Sequence, residues 1–229
     1  RRDLAASYGA WAGQVEKALQ VGQLSLPLDA LGRCDTFLAL ETALQGKVET
    51  RLALHGASPA TLALARGRLQ GFWAGQEPEV KARWQVIEAA GRVLEEASRV
   101  EAALKGKTWN AASLLAGYAA GDAPWYLLDT AQRHLERDFH SYDVDPGQHD
   151  GLIKLVNAAR QRYTLVADSL AERFVKAHAA AGFAVPGVVQ QVDIYSKEVA
   201  PRLAQGRTAY ILVDALRFEM AAELQRLAA

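Results

Sequence analysis

The chain has 229 residues, half of them hydrophobic, with 26 basic and 26 acidic side chains, which excludes a disordered polymer and leaves material for one large or two smaller cores. The charge balance excludes bulk electrostatic recruitment to nucleic acid or an anionic membrane and leaves only local patches to consider. A single cysteine, Cys34, excludes an internal disulfide framework and a thiolate zinc site, and fits a reducing cytoplasm, the expected compartment.

No run of about 18 apolar residues is present to span a bilayer, and Arg1-Arg2-Asp3-Leu4 leads straight into a helical pattern without a signal-peptide core. The sequence opens without Met and stops at Leu227-Ala228-Ala229 inside a helical pattern, which reads as a piece of a longer protein.

Ala, Leu, Glu, Gln and Arg dominate and β-branched runs are few before residue 185, so most of the chain is expected to be helical. Trp11, Val15, Ala18 and Leu19 share one face of a first helix, which Gly22 and Leu26-Pro27 close. Leu28 to Leu54 is a second helical region with an interruption near Gly32. Ser58-Pro59 supplies an N-cap hydroxyl and a proline at the first helical position, opening a helix to about Phe72. After Gly75 and Pro78, helical spacing of Val80, Trp84, Ile87, Leu94 and Ala97 continues to about Leu104.

Gly106 to Thr108 is a break and Trp109 to Tyr118 a short helix. Asp122 is placed to cap the next helix, whose apolar side is Trp125, Leu128, Leu135 and Phe139. Ser141 to Gly147, with Asp143, Asp145 and Pro146, is the most loop-like central segment. From Gly151 to Ala181 a near-heptad stripe of Leu152, Val156, Ala159, Tyr163, Val166, Leu170, Phe174 and Ala177 predicts a helix of about 45 Å. It suits the spine of a bundle, with a two-stranded coiled coil as the alternative. No fixed-period repeat stands out.

Val185-Pro186-Gly187 is a hinge-like turn, Val188 to Leu203 a further helix, and Ala209 to Val213 a buried strand followed by a short helix. A domain boundary is expected between about Gly182 and Pro186.

Asp214 stands at the carboxyl end of that strand, where α/β proteins place metal ligands and catalytic groups. The alternative is an Asp that caps the following helix. An aspartyl-phosphate site wants a second Asp two residues on, where this chain has Leu216, and no Gly-x4-Gly-Lys-Ser/Thr follows any strand.

His134 and Asp138 lie at i and i+4 with His140 close by, a spacing that can present metal ligands on one face. Arg133, Glu136 and Arg137 around them favour a solvated charged face. His55, His149 and His178 are isolated. Arg66, Arg68, Arg92, Lys105 and Lys107 are read as solvated helix surface in preference to phosphate contacts. Tryptophans 11, 73, 84, 109 and 125 are read as core anchors in preference to base-stacking platforms.

The run Tyr210-Ile-Leu-Val-Asp214-Ala-Leu-Arg217-Phe218-Glu219-Met220 resembles the signature VDALRYEM that opens the PglZ domain. That domain is a branch of the alkaline phosphatase superfamily associated with bacteriophage-exclusion (BREX) systems. Phe218 stands where Tyr is usual. Upstream, Trp125, Asp129 and Arg133, the long helix with Tyr163 and Phe174, Gly182-Phe183, and the stretch from Val192 to Pro201 are similar to the helical region before that domain. The resemblance covers about residues 120 to 229, and those before 120 only weakly.

Composition and helix punctuation predict a mainly α fold: a multi-helix bundle over residues 1–183, with room for two sub-bundles about a break near 106–122. The resemblance implies that residues 184–229 are the first β-strand and helix of a truncated α/β alkaline-phosphatase-like domain. It also implies a metal-dependent phosphatase or phosphodiesterase in the longer protein, with divalent ions, zinc or similar, as cofactors.

Asp214 matches the first metal ligand. Arg217 and Glu219 match the motif, in structural or supporting roles, and the nucleophile and later ligands lie outside this chain. The fragment would then be an inactive helical scaffold or interaction region that holds no complete metal site. Other BREX defence proteins are the expected partners, with no membrane. The alternatives are a stand-alone helical module binding DNA or protein, and a bundle that forms a homodimer.

Overall fold

The computed structural model describes residues 2–142 and 150–228, with the side chains of residues 2–4 and 6 left aside. The loop expected at 141–147 falls mostly outside that range, Asp143, Asp145 and Pro146 included, as does His149. About three quarters of the chain is helical, and no strand occurs among the described residues. The α-helices are α1 (Arg2–Ala18), α2 (Leu28–Leu31), α3 (Leu38–His55), α4 (Pro59–Arg68), α5 (Phe72–Gln76), α6 (Pro78–Leu104), α7 (Ala111–Ala119), α8 (Tyr126–His140), α9 (Asp150–Ala180), α10 (Ala200–Gln205) and α11 (Phe218–Ala228).

Two compact units form, one from Arg1–Lys105 with Leu128–Asp168 and the other from Gly106–Leu127 with Ser169–Ala229. In the first, α6 is the central element, and α3, α4 and α5 pack on it. Its inward row of Val80, Trp84, Ile87, Ala90, Leu94 and Ala97 is buried, as a 3.6-residue period requires. The cap at α4 also forms as its sequence dictates: Ser58 Oγ accepts from Thr61 N–H at 3.3 Å, and Pro59 takes the first helical position.

The long helix α9 runs Asp150–Ala180. Leu152, Val156, Ala159 and Val166 of its stripe are buried, with Leu155 beside them, whereas Leu170, Phe174 and Ala177 are only half-buried. Within the first unit, Tyr163 Oη donates to Asp129 Oδ1 at 2.8 Å. Arg160 forks onto Glu136 at 2.8 and 2.6 Å, and Arg162 pairs with Glu101.

Helix α1 does not bury the expected face. Trp11 is 74 % exposed and Val15 and Leu19 are also exposed, while Ala12 is buried. The half-buried positions beside Ala12 are Ala5, Gly9 and Glu16, four small or polar residues at helical spacing in all. The helix docks through this edge of low bulk and through the Tyr8 ring, edge-on to Phe72 at 4.8 Å, and Glu16 ties it to α3. Its Oε2 accepts from Ala39 N–H at 2.9 Å, satisfying an orphan donor in the first turn of α3, where Phe37 offers no cap of its own.

Two smaller departures share a cause in local geometry. Asp122 does not cap α8, because that helix begins at Tyr126, four residues on, beyond the reach of an N-cap side chain. The helix expected from Val188 to Leu203 is broken into a 3-10 turn at Gln191–Asp193, a π turn at Tyr195–Val199 and α10. Pro201 lies in the first turn of α10 and has no N–H to give to the carbonyl four residues back, inside the π turn that precedes it.

In the second unit, α7 starts with a capping box in which Asn110 Oδ1 accepts from Ser113 N–H at 2.8 Å and Ser113 Oγ accepts from Asn110 N–H at 3.1 Å. Trp125 packs edge-on to Trp109, centroids 5.2 Å apart, and lies over Gly117. A Cβ at Gly117 would come within 2.7 Å of the Trp125 ring, so only glycine fits there.

Candidate functional site

Ala209–Val213, expected as a strand, has no ladder partner and carries no regular structure. Pairing is what defines a strand, and no neighbour is offered among the described residues. Its side chains nonetheless show the composition of a buried strand: Ile211 is 77 % exposed and Leu212 81 %, with Tyr210 and Val213 also exposed.

Asp214 ends this segment in a turn. Its Oδ1 accepts from the N–H of Ala215 at 2.8 Å, and Ala215 sits in the left-handed region at φ 56°, a position costly for a residue with a Cβ. The capping alternative for Asp214 is not realised. Helix α11 begins at Phe218, and the carbonyl of Arg217 accepts its first backbone bond, from Ala221 N–H at 3.0 Å.

Phe218 anchors the start of α11. Its ring lies 5.7 Å from Tyr118 and 5.5 Å from Tyr126, centroid to centroid, aromatic contacts at ordinary packing separations. Arg217 is exposed, whereas the Glu219 side chain is 2 % exposed. Arg217 Nη1 stands 3.9 Å from Glu219 Oε1, and that oxygen accepts no hydrogen bond among the described residues.

A metal ion would find one ligand here. Asp214 is an exposed carboxylate with acceptor capacity left after its single backbone bond. Among the described residues, no group of three or more His, Cys, Asp or Glu side chains is placed to hold a metal ion. Asp214 thus fits as a contributor, and the residues present do not make a site.

The other histidine candidate is not assembled either. Asp138 is engaged by its neighbour Arg137 at 2.8 Å. His140 lines an open cleft of about 530 Å³ with Phe139, Tyr142, Glu136 and Arg160, where Glu136 and Arg160 neutralise each other. The Arg160 guanidinium lies 5.1 Å over the Phe139 ring and holds Glu136 below the usual carboxylate range.

Sequence reasoning missed one polar cluster entirely. Arg68, expected on the surface, is buried. It bonds Glu41 Oε2 at 2.9 Å and the carbonyls of Leu31, Gly32 and Cys34 at 3.2, 2.8 and 3.1 Å. Glu41 Oε1 also accepts from Trp84 Nε1 at 2.7 Å. Glu41, Gln45 and Glu49 are all buried on α3. Gln45 Nε2 donates to the Val80 carbonyl at 2.9 Å, and Glu49 receives the fork of Arg83 at 2.7 and 2.9 Å.

Among the tryptophans, 73, 84 and 125 are core anchors as expected, 109 is half-buried, and 11 is not an anchor. No described helix is long and apolar enough to cross a membrane. Fold and site together define a class, a mainly helical chain of two compact units with an acidic turn near residue 214. Comparison with protein-family models, with curated proteins and with solved structures returns no match.

Proposed function

We propose that this chain is the helical scaffold and the opening segment of a PglZ-like protein of a bacteriophage-exclusion system. The longer protein is a metal-dependent phosphatase or phosphodiesterase, to which Asp214 contributes the first ligand. Other defence proteins of such a system are its partners. The observation that carries the reading is the segment Tyr210–Val213, apolar on alternating sides, exposed on both, and leading into an exposed carboxylate. Side chains of that kind on both faces suit a strand in the interior of a parallel sheet covered by helices. Asp214 then stands at the strand end, where such sheets bind ligands.

The test is hydrolysis of bis(p-nitrophenyl) phosphate by the complete protein with divalent metal, alongside metal content by mass spectrometry. Metal-dependent turnover that disappears with bound metal in Asp214→Asn is the expected result. Full turnover and full metal content in that variant overturn the reading, as does metal-dependent, Asp214-dependent hydrolysis by the 229-residue chain alone.

A second reading, a helical module that binds another protein, is favoured by the exposed stripe of Trp11 and Val15 on α1 with Leu19 just beyond its end. It predicts that Trp11→Ala with Leu19→Ala releases a co-purifying subunit without loss of fold.

A further inference from the structure

A cleft of about 220 Å³ opens in the first unit where the start of α6 meets α3, lined by Thr42 and Gln45 on one side and by Glu77, Glu79 and Arg83 on the other. Gln45 is only 1 % exposed, and its amide is oriented by the bond that Nε2 donates to the Val80 carbonyl at 2.9 Å. The carbonyl oxygen Oε1 accepts no hydrogen bond among the described residues. It is not sealed in by protein atoms as the Glu219 oxygen is, so it opens on the cleft that its residue lines. A carbonyl held in that way calls for a donor from outside the chain.

Water supplies a donor but no charge, whereas the lip of this cleft is acidic. The helix dipole accounts for acidic side chains at the start of α6, yet Glu77 does not cap that helix. Its exposed carboxylate makes no hydrogen bond or ion pair among the described residues. Arg83 adds no net positive charge, because its guanidinium is forked onto the buried Glu49 at 2.7 and 2.9 Å. With Glu79 facing Arg83 and Tyr142, the lining keeps a negative excess.

We infer that this cleft binds a primary ammonium group, carried by a free alkylamine or by a lysine side chain. The three N–H donors of an ammonium match three oxygens of the lining. These are Gln45 Oε1, a Glu77 carboxylate oxygen and Thr42 Oγ1, whose own hydrogen goes to the Leu38 carbonyl at 3.1 Å. Leu38 and Val80 line the remainder and give an alkyl stem an apolar wall. A calcium ion is a poorer occupant, since it takes about six to eight oxygens and the described residues gather no three acidic or histidine side chains to hold a metal. The site is independent of Asp214 and of the phosphohydrolase reading.

The experiment is isothermal titration of n-butylamine, which has the alkyl stem of lysine, into the complete protein. Butyltrimethylammonium is the control, with the same charge and stem but no N–H. Wild type, Glu77→Gln and Gln45→Met are compared, with circular dichroism to check folding; the first variant removes the charge and the second the carbonyl oxygen. Butylamine is expected to bind the wild type and to bind each variant roughly tenfold more weakly. Butyltrimethylammonium should bind the wild type weaker than butylamine by roughly tenfold or more. Since Glu77 is exposed, its variant tests the site even if Gln45→Met fails to fold. Spermidine and Nα-acetyl-lysine methylamide then distinguish the sources, the tighter of the two naming the ligand.

No binding of butylamine to the wild type, or equal binding in either folded variant, overturns the inference. Equal affinity for the two ammonium probes overturns it as well, because charge alone would then account for the binding. Calcium that displaces butylamine and loses affinity in the same variants overturns the ammonium assignment in favour of a metal site.

Discussion

Arg68 and Glu41 form a buried ion pair at 2.9 Å, and the same guanidinium also ties the carbonyls of Leu31, Gly32 and Cys34. One side chain of α4 thereby holds the end of α2, the start of α3 and, through Glu41 and Trp84, the second turn of α6. Truncating one member of a buried pair leaves the other charge uncompensated, at a cost of about 3–5 kcal/mol. Arg68→Ala is expected to lose that much in urea denaturation. Arg68→Lys should recover little, since an ammonium cannot reproduce a planar fork that reaches a carboxylate and three carbonyls. A loss below about 1 kcal/mol, the range of an exposed pair, would contradict the buried network.

Glu41 gives the pH dependence a sign. Burial pushes its carboxyl above the ordinary value of 4.5, and the bonds from Trp84 and Arg68 only partly oppose that. The folded protein therefore binds a proton more tightly than the unfolded chain at this position. Its contribution is most favourable below 4.5 and is lost as pH rises through the raised folded value. Glu136, lowered by Arg160, acts in the opposite sense, its contribution being lost as pH falls through its folded value. Unfolding curves between pH 3 and 7 should show Glu41→Gln removing a component that declines with rising pH. An unchanged slope in that variant would show that Glu41 titrates as an ordinary carboxylate.

These polar residues mark where the sequence stops being legible. The α6 face and the α9 stripe could be read because apolar side chains repeat at helical spacing. Glu41, Gln45 and Glu49 repeat at that spacing too, and a charged row normally denotes the solvated face. Their burial depends on Arg68 and Arg83, 27 and 34 residues away from their partners Glu41 and Glu49, a pairing no local pattern encodes. The row of Trp11, Val15 and Leu19 misleads in the converse way: its spacing is that of a core face, while the contact is made by Ala12 and Glu16. Asp214, Arg217 and Glu219 are visible as a motif, but the burial of Glu219 beside an exposed Arg217 depends on packing that the motif does not encode.

Trp11 and Trp84 should separate in a quenching experiment. Trp84 is fully enclosed and Trp11 is 74 % exposed, so iodide is expected to quench a component that Trp11→Phe removes and Trp84→Phe does not. Trp11→Ala should change stability by no more than about 0.5 kcal/mol, as for an exposed position without special contacts. A large destabilisation would place Trp11 in the core after all.

Gly117 tests the second unit. The Trp125 ring would lie 2.7 Å from a new Cβ, and a rigid indole cannot yield as the end of a flexible chain would. Gly117→Ala is expected to cost about 1–3 kcal/mol through overpacking and to change the near-ultraviolet circular dichroism of the Trp109–Trp125 pair. Gly46, with open space around it, is the control, since alanine there should stabilise α3 through higher helix propensity.

The apolar segment before Asp214 makes the last prediction. In an unpaired segment the N–H groups of residues 209–213 are left to water, so their hydrogen exchange should be nearly unprotected while amides of α6 exchange only through global opening. Chymotrypsin should cut at Tyr210 before it cuts beside the enclosed Trp84. Protection at 209–213 that persists on dilution would mean a ladder within the chain and would remove the basis for reading this segment as a strand awaiting its sheet. Protection that appears only at high concentration would mean pairing between copies, the hazard an apolar unpaired strand carries.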